Sequence, residues 1–100
     1  VRIAMGTDAG TPFNPHGRNA QELRRMVEFG MTPMMAIEAA TASAAALLGL
    51  EQEIGTIETG KQADLILVIG NPLDDIALLE KPRNVEYVIQ GGKIVKGLPF

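Results

Sequence analysis

Cysteine is absent from the 100-residue sequence, and its absence excludes disulfides, thiolate zinc sites, iron–sulfur clusters and cysteine nucleophiles. Histidine occurs once, at His16, so no pair of histidines spaced for a shared metal site exists. There is no excess of basic charge: 9 Lys and Arg stand against 12 Asp and Glu, a net charge of -3. Nucleic-acid binding, which demands clustered Lys and Arg, is therefore not expected. Nor is a membrane span, because the most apolar run, Leu65 to Ile69, is far too short to cross a bilayer. The opening Val1-Arg2-Ile3-Ala4 has neither an initiating Met nor the long apolar stretch of a signal peptide. A cytoplasmic setting is the default expectation, and the missing Met points to processing or to a start within a longer chain. What is present is 46% hydrophobic and 21% charged, the balance of a folded globular segment.

Along the chain, Arg2 to Met5 reads as a short strand followed by a loop rich in turn formers, Gly6, Gly10, Pro12, Asn14, Pro15 and Gly17. Asn19 with Glu22 is spaced as a capping box for a helix whose Leu23, Met26 and Val27 share one face and which stops at Gly30. Thr32-Pro33 is a second helix start, a hydroxyl cap before a proline at the first helical position. From there Ile37, Ala40, Thr41, Ala44, Leu47 and Leu48 form a stripe at helical spacing that ends at Gly49, with a kink allowed between Thr41 and Ser43.

After Gly49 the period changes. Gly55 to Gly60 is a turn region, and Ala63 to Ile69 is a nearly continuous apolar strand of the kind buried on both faces. Gly70-Asn71-Pro72 breaks that strand, and Leu73 to Leu79 is read as a short helix. Val85 to Ile89 and Lys93 to Val95 flank Gln90-Gly91-Gly92, a strong hairpin signal. The chain thus divides near Gly49 into a strand-plus-helices half and a β-rich half.

Asp8 is the leading candidate for chemistry. It stands in Met5-Gly6-Thr7-Asp8-Ala9-Gly10, directly after the opening strand, and catalytic groups of barrels and open α/β sheets collect at the carboxyl ends of strands. A carboxylate held there can bind a divalent metal or take a proton from bound water. The plainer alternative is that it caps the turn at Gly10. One carboxylate cannot hold zinc by itself, since zinc takes three or four protein ligands. His16 is open between a ligand, a substrate contact and a solvent-facing loop residue. Thr7 and Thr11 have no evident base partner and are not expected to be nucleophiles. Asp64 reads as a turn-side structural residue, and Asp74-Asp75 as a helix cap and first turn. Gly55 to Lys61 superficially resembles a phosphate loop, but Gln62 follows the lysine and the flanking strand and helix are missing. Arg24, Arg25, Lys93 and Lys96 are scattered, as on a solvated face.

The order of these pieces is more telling than any one of them. Gly6-Thr7-Asp8-Ala9-Gly10, then Thr32-Pro33 through Ala40-Thr41 to Leu48-Gly49, then Gly55-Thr56-Ile57-Glu58-x-Gly60-Lys61-x-Ala63-Asp64-Leu65, then Val88-Ile89-x-Gly91-Gly92-Lys93-Ile94-Val95 together resemble the C-terminal portion of the amidohydrolase superfamily. The resemblance is especially to the branch of imidazolonepropionase-like enzymes and metal-dependent peptidases acting on dipeptides that end in proline, arginine or lysine. The resemblance implies an α/β fragment: the last strand and following helices of a (β/α)8 metallo-dependent hydrolase barrel in residues 1–49, and part of a small β-sandwich domain with its terminal hairpin in residues 50–100. It implies one or two divalent metals, zinc as a rule, and hydrolysis of an amide or related C–N bond in a small-molecule or dipeptide substrate. Asp8 matches the carboxylate that binds a metal or its water and relays the proton. Asp64 matches a structural position, and His16 lies in a loop that would line the substrate entrance.

The family's remaining ligands are histidines on early and middle strands and, in many members, a carboxylated lysine, and none of those segments is present here. A whole barrel needs about 250 residues. The isolated chain is accordingly expected to be inactive, with the Ile37 to Leu48 stripe buried against another copy or against the missing part of the enzyme. Two other readings compete: a non-catalytic assembly or interaction module derived from such an enzyme, and a small stand-alone enzyme using Asp8 and His16.

Overall fold

A computed structural model describes residues 2–6 and 20–97. Three α-helices come first, α1 (Gln21–Glu28), α2 (Pro33–Ala40) and α3 (Ala42–Leu47). Three strands follow, β1 (Leu65–Val68), β2 (Val85–Gln90) and β3 (Lys93–Lys96), with 3-10 helices at Ile76–Glu80 and Pro82–Asn84 between β1 and β2.

α1 begins with Ala20, which has no side chain able to accept a hydrogen bond, at the N-cap position. Asn19 of the expected capping box lies outside the described residues, and the Glu22 carboxylate faces Arg25 at 3.7 Å. The C-terminal end follows the sequence reading closely. Gly30 N–H donates to Val27 O (3.1 Å) and Met31 N–H to Met26 O (3.1 Å), the pair of bonds of a Schellman motif. The same pair ends α3, from Gly49 to Ala46 (3.1 Å) and from Leu50 to Ala45 (2.8 Å).

α2 starts as expected, with Thr32 Oγ1 accepting from Met35 N–H at 3.1 Å. The kink expected near Thr41 is a full break: Thr41 has φ -121 and ψ -87, and its hydroxyl donates to Ile37 O at 2.7 Å. A hydroxyl bonded back one turn competes with the backbone ladder and bends the helix at that point. The break also shifts the packed face. Ala36, Ala39 and Ala45 are the buried residues of α2 and α3, while Leu47 and Leu48 of the anticipated stripe are 76% and 69% exposed.

The strand expected at Arg2 to Met5 is not formed among the described residues. A strand exists only through its ladder partners, and β1 to β3 pair with one another. Met5 N–H instead donates to Ala39 O at 2.8 Å, tying this segment to the end of α2.

The sheet has the order β1-β2-β3, with both pairs antiparallel. Gln90 pairs with Lys93, so Gly91-Gly92 is a two-residue turn, and φ values of 57° and 82° place both glycines in the primed-turn geometry that suits strand twist. The expectation that Ala63 to Ile69 is buried on both faces is overturned. β1 is an edge strand, with Ile66 and Leu67 52% and 43% exposed; its sequence has the pattern of a covered strand, yet among the described residues it is only half-buried at Leu65 and Val68. The short helix expected over Leu73 to Leu79 is the 3-10 helix Ile76–Glu80, capped by Asp75 Oδ1 accepting from Ala77 N–H at 3.1 Å.

The core is small and joins the two halves of the chain. Leu23 of α1, Ala36 of α2 and Ile76 of the 3-10 helix are buried together, with Met5, Met26, Val27 and Leu79 packed around them. Burial of Leu23 and Ile76 contributes roughly 1.5–3 kcal/mol each.

Candidate functional site

Asp8 and His16, the residues singled out for chemistry, lie outside the described residues, as does the rest of the loop that carries them. The structure does show what holds the two ends of that loop. On one side, Met5 is fixed twice, by its N–H bond to Ala39 O and by packing against the Leu23, Ala36 and Ile76 cluster. On the other side, α1 is anchored through Leu23 in the same cluster. The described segments on either side of residues 7–19 thus pack on the same cluster.

Between these two segments opens a cleft of about 670 Å³, lined by Met5, Gly6, Glu22, Arg25, Met26 and Phe29 among others. Its wall is apolar apart from the Glu22–Arg25 pair at 3.7 Å. Among the described residues no group of three or more His, Asp or Glu could hold a metal ion, so those residues do not by themselves fit a metal centre. The other acidic candidates are engaged in structure. Asp64 Oδ1 accepts from Gly91 N–H at 2.9 Å across the hairpin turn, in line with the turn-side role read from sequence, and Asp75 caps its 3-10 helix.

One interaction escaped the sequence reading. Arg24, taken for part of a solvated face, donates from Nε to Glu80 Oε2 at 2.7 Å and from Nη1 to Glu28 Oε1 at 3.3 Å. The hydrogen bond and then the charge of Glu80 raise the pKa of the guanidinium above its ordinary value, with a smaller contribution from Glu28. The sign is that of a cation gaining a partner: the contribution is full below the unfolded-state pKa and is lost only as pH rises through the still higher folded-state value. This pair clamps α1 to the 3-10 helix beside the core. Arg24 and Glu80 lie 56 positions apart, and no local pattern could have joined them.

An α/β arrangement of packed helices beside a small antiparallel sheet defines the class. The sequence model of the amidohydrolase family matches residues 1–95, and the chain belongs to that family. It is 43% identical over 99 residues to ochratoxinase from Aspergillus niger, a match covering 97% of this chain and 20% of that protein. It is 34% identical over 98 residues to imidazolonepropionase from Alkaliphilus oremlandii, covering 93% of this chain and 22% of that protein. Among solved structures, a Xaa-Pro dipeptidase with methionine bound in its active site superposes with a TM-score of 0.87 at 50% identity, over 95% of this chain and 22% of that one. The chain thus spans about a fifth of the length of these relatives. No helix among the described residues is long and apolar enough to cross a membrane.

Proposed function

We propose that the chain is the C-terminal part of a metal-dependent amidohydrolase of the imidazolonepropionase-like and dipeptidase branch, cleaving an amide or related C–N bond, with dipeptides as the substrate class. In this reading residues 1–49 close the (β/α)8 barrel and residues 50–100 belong to its small β-domain. The observation that carries it is the 50% identity to a Xaa-Pro dipeptidase across 95% of this chain, supported by a family match that includes the Gly6-Thr7-Asp8 segment.

Asp8 is the functional carboxylate of the proposal. A divalent metal, zinc by the family's habit, would supply Lewis acidity and an activated water, with Asp8 among its ligands and the others outside this chain. Asp8 takes the proton of the attacking water and returns it to the departing nitrogen. His16 contributes to the substrate entrance. A cytoplasmic setting, and association with the remainder of the enzyme or with a second copy, belong to the same proposal.

The test is made on the whole enzyme, loaded with zinc and assayed on Xaa-Pro dipeptides. Asp8→Asn is expected to lower kcat by about a hundred- to ten-thousand-fold, the range of a lost general acid–base group, while circular dichroism stays unchanged. Full activity in Asp8→Asn would remove this residue from the chemistry, and a zinc-loaded whole protein without hydrolytic activity would favour the non-catalytic assembly module instead.

A further inference from the structure

Charge is shared unevenly along the chain. Residues 81–96 hold four of the nine Lys and Arg but one of the twelve Asp and Glu, so they carry a net +3 and the remainder carries -6. The two sets of cations are also used differently. Arg24, Arg25 and Lys61 each face a carboxylate, at 3.7 Å or closer. Lys81, Arg83, Lys93 and Lys96 are all exposed, and none of them forms an ion pair among the described residues. The fold gathers three of these four. Lys81 and Arg83 flank Pro82 at the start of the second 3-10 helix. Lys96, 14 positions further on, donates from its ammonium to Pro82 O at 2.6 Å, which brings its charge to the backbone that carries the other two. Glu80, next to Lys81, is taken up by Arg24, and Glu86, the one carboxylate of the stretch, pairs with none of the three. Like charges gathered in this way repel one another until an anion lies among them.

We propose that Lys81, Arg83 and Lys96 form a docking surface for a short acidic segment of another protein. Charge complementarity selects an anionic occupant, and the remainder of the chain selects a small one. An extended polyanion, such as a nucleic acid or a bilayer, spans more than the patch and meets the net -6 at its margins. A short run of Asp or Glu fits within the patch, because charges beyond a screening length of about 8 Å contribute little. The Arg83 guanidinium can hold one carboxylate through two parallel hydrogen bonds, and the two ammonium groups donate to others. This surface is separate from the proposed hydrolysis, which draws on none of its residues.

Fluorescence anisotropy of labelled hexaglutamate, titrated with the whole enzyme, tests this. The peptide is expected to bind, and to bind more weakly as salt is raised. The double variant Lys81→Glu, Arg83→Glu should weaken binding on the order of tenfold, and Arg83→Lys by much less. Arg2→Glu, which reverses an exposed cation of the helical half, should leave binding unchanged. All these side chains are exposed, so the variants should fold, which circular dichroism checks. No binding of hexaglutamate, or equal weakening by Arg2→Glu, would overturn the inference. So would tighter binding of a single-stranded oligonucleotide or of phosphatidylserine vesicles, because the occupant would then be an extended polyanion. The dipeptidase assay reads a different site: an active enzyme that ignores hexaglutamate refutes the docking surface alone, and an inactive one that binds it refutes the function alone.

Discussion

At Gly55 the loop leading to the sheet lies close against α3 and the break at Thr41. The φ of Gly55 is 101°, and a Cβ built there would stand 2.7 Å from Ala45 Cβ and 3.1 Å from Thr41 O. Neither contact can be relieved by swinging a flexible side chain. Gly55→Ala is expected to destabilise the chain by about 1–3 kcal/mol, through positive φ and overpacking together. Urea denaturation should show it as a lower midpoint with an unchanged slope; an unaltered midpoint would mean that the approach is loose. At this scale the sequence was readable wherever a residue's partner is near or its role is generic. Asp64 as a turn-side carboxylate and Asp75 as a cap were both legible. The Arg24–Glu80 clamp was not, because its two ends meet only after α1 and the 3-10 helix pack together.

Among the elements, α2 owes its start to chemistry written in two adjacent residues, the Thr32 cap and Pro33 at the first helical position. Thr32→Ala is expected to cost about 1 kcal/mol, the usual loss of a hydroxyl cap, whereas Thr32→Ser should cost little. Thermal melts of the two variants separate a cap from a packing role. Both helix stops and the Gly91-Gly92 hairpin were equally legible, because each follows from hydrogen bonds within a few residues. Two elements depart from their sequence pattern in this chain for a shared reason. Arg2 to Met5 has the pattern of a strand and Leu65 to Val68 that of a strand covered on both faces, but pairing and cover are supplied by other elements. Local pattern records what a segment suits, not what lies beside it. The stripe on α2 and α3 failed differently: the break at Thr41 rotates one helix relative to the other, so no single helical period runs through both.

For the molecule as a whole, large apolar side chains outside the core decide how the isolated chain behaves. Phe29, Ile57 and Leu47 are 89%, 86% and 76% exposed, against a core of Leu23, Ala36 and Ile76. Apolar surface on that scale binds dyes and self-associates. The isolated chain is expected to enhance ANS fluorescence strongly, and its sedimentation coefficient should rise with concentration. The whole enzyme should do neither, and a monodisperse, ANS-silent isolated chain would show that these side chains need no cover.

The sequence by itself determined the family, through the order of its short motifs, and it determined the caps, stops and hairpin, whose hydrogen bonds close over a few residues. It offers Asp8 as the candidate carboxylate, since a carboxylate between glycines after an apolar segment is a local pattern. Only the tertiary structure decided that Met5 is tied to Ala39 O, that Arg24 reaches Glu80, and that β1 lies at an edge of the sheet with Ile66 and Leu67 exposed. Each of those depends on which distant surfaces meet. Packing sets that from all the buried faces at once, and no window of sequence contains them all.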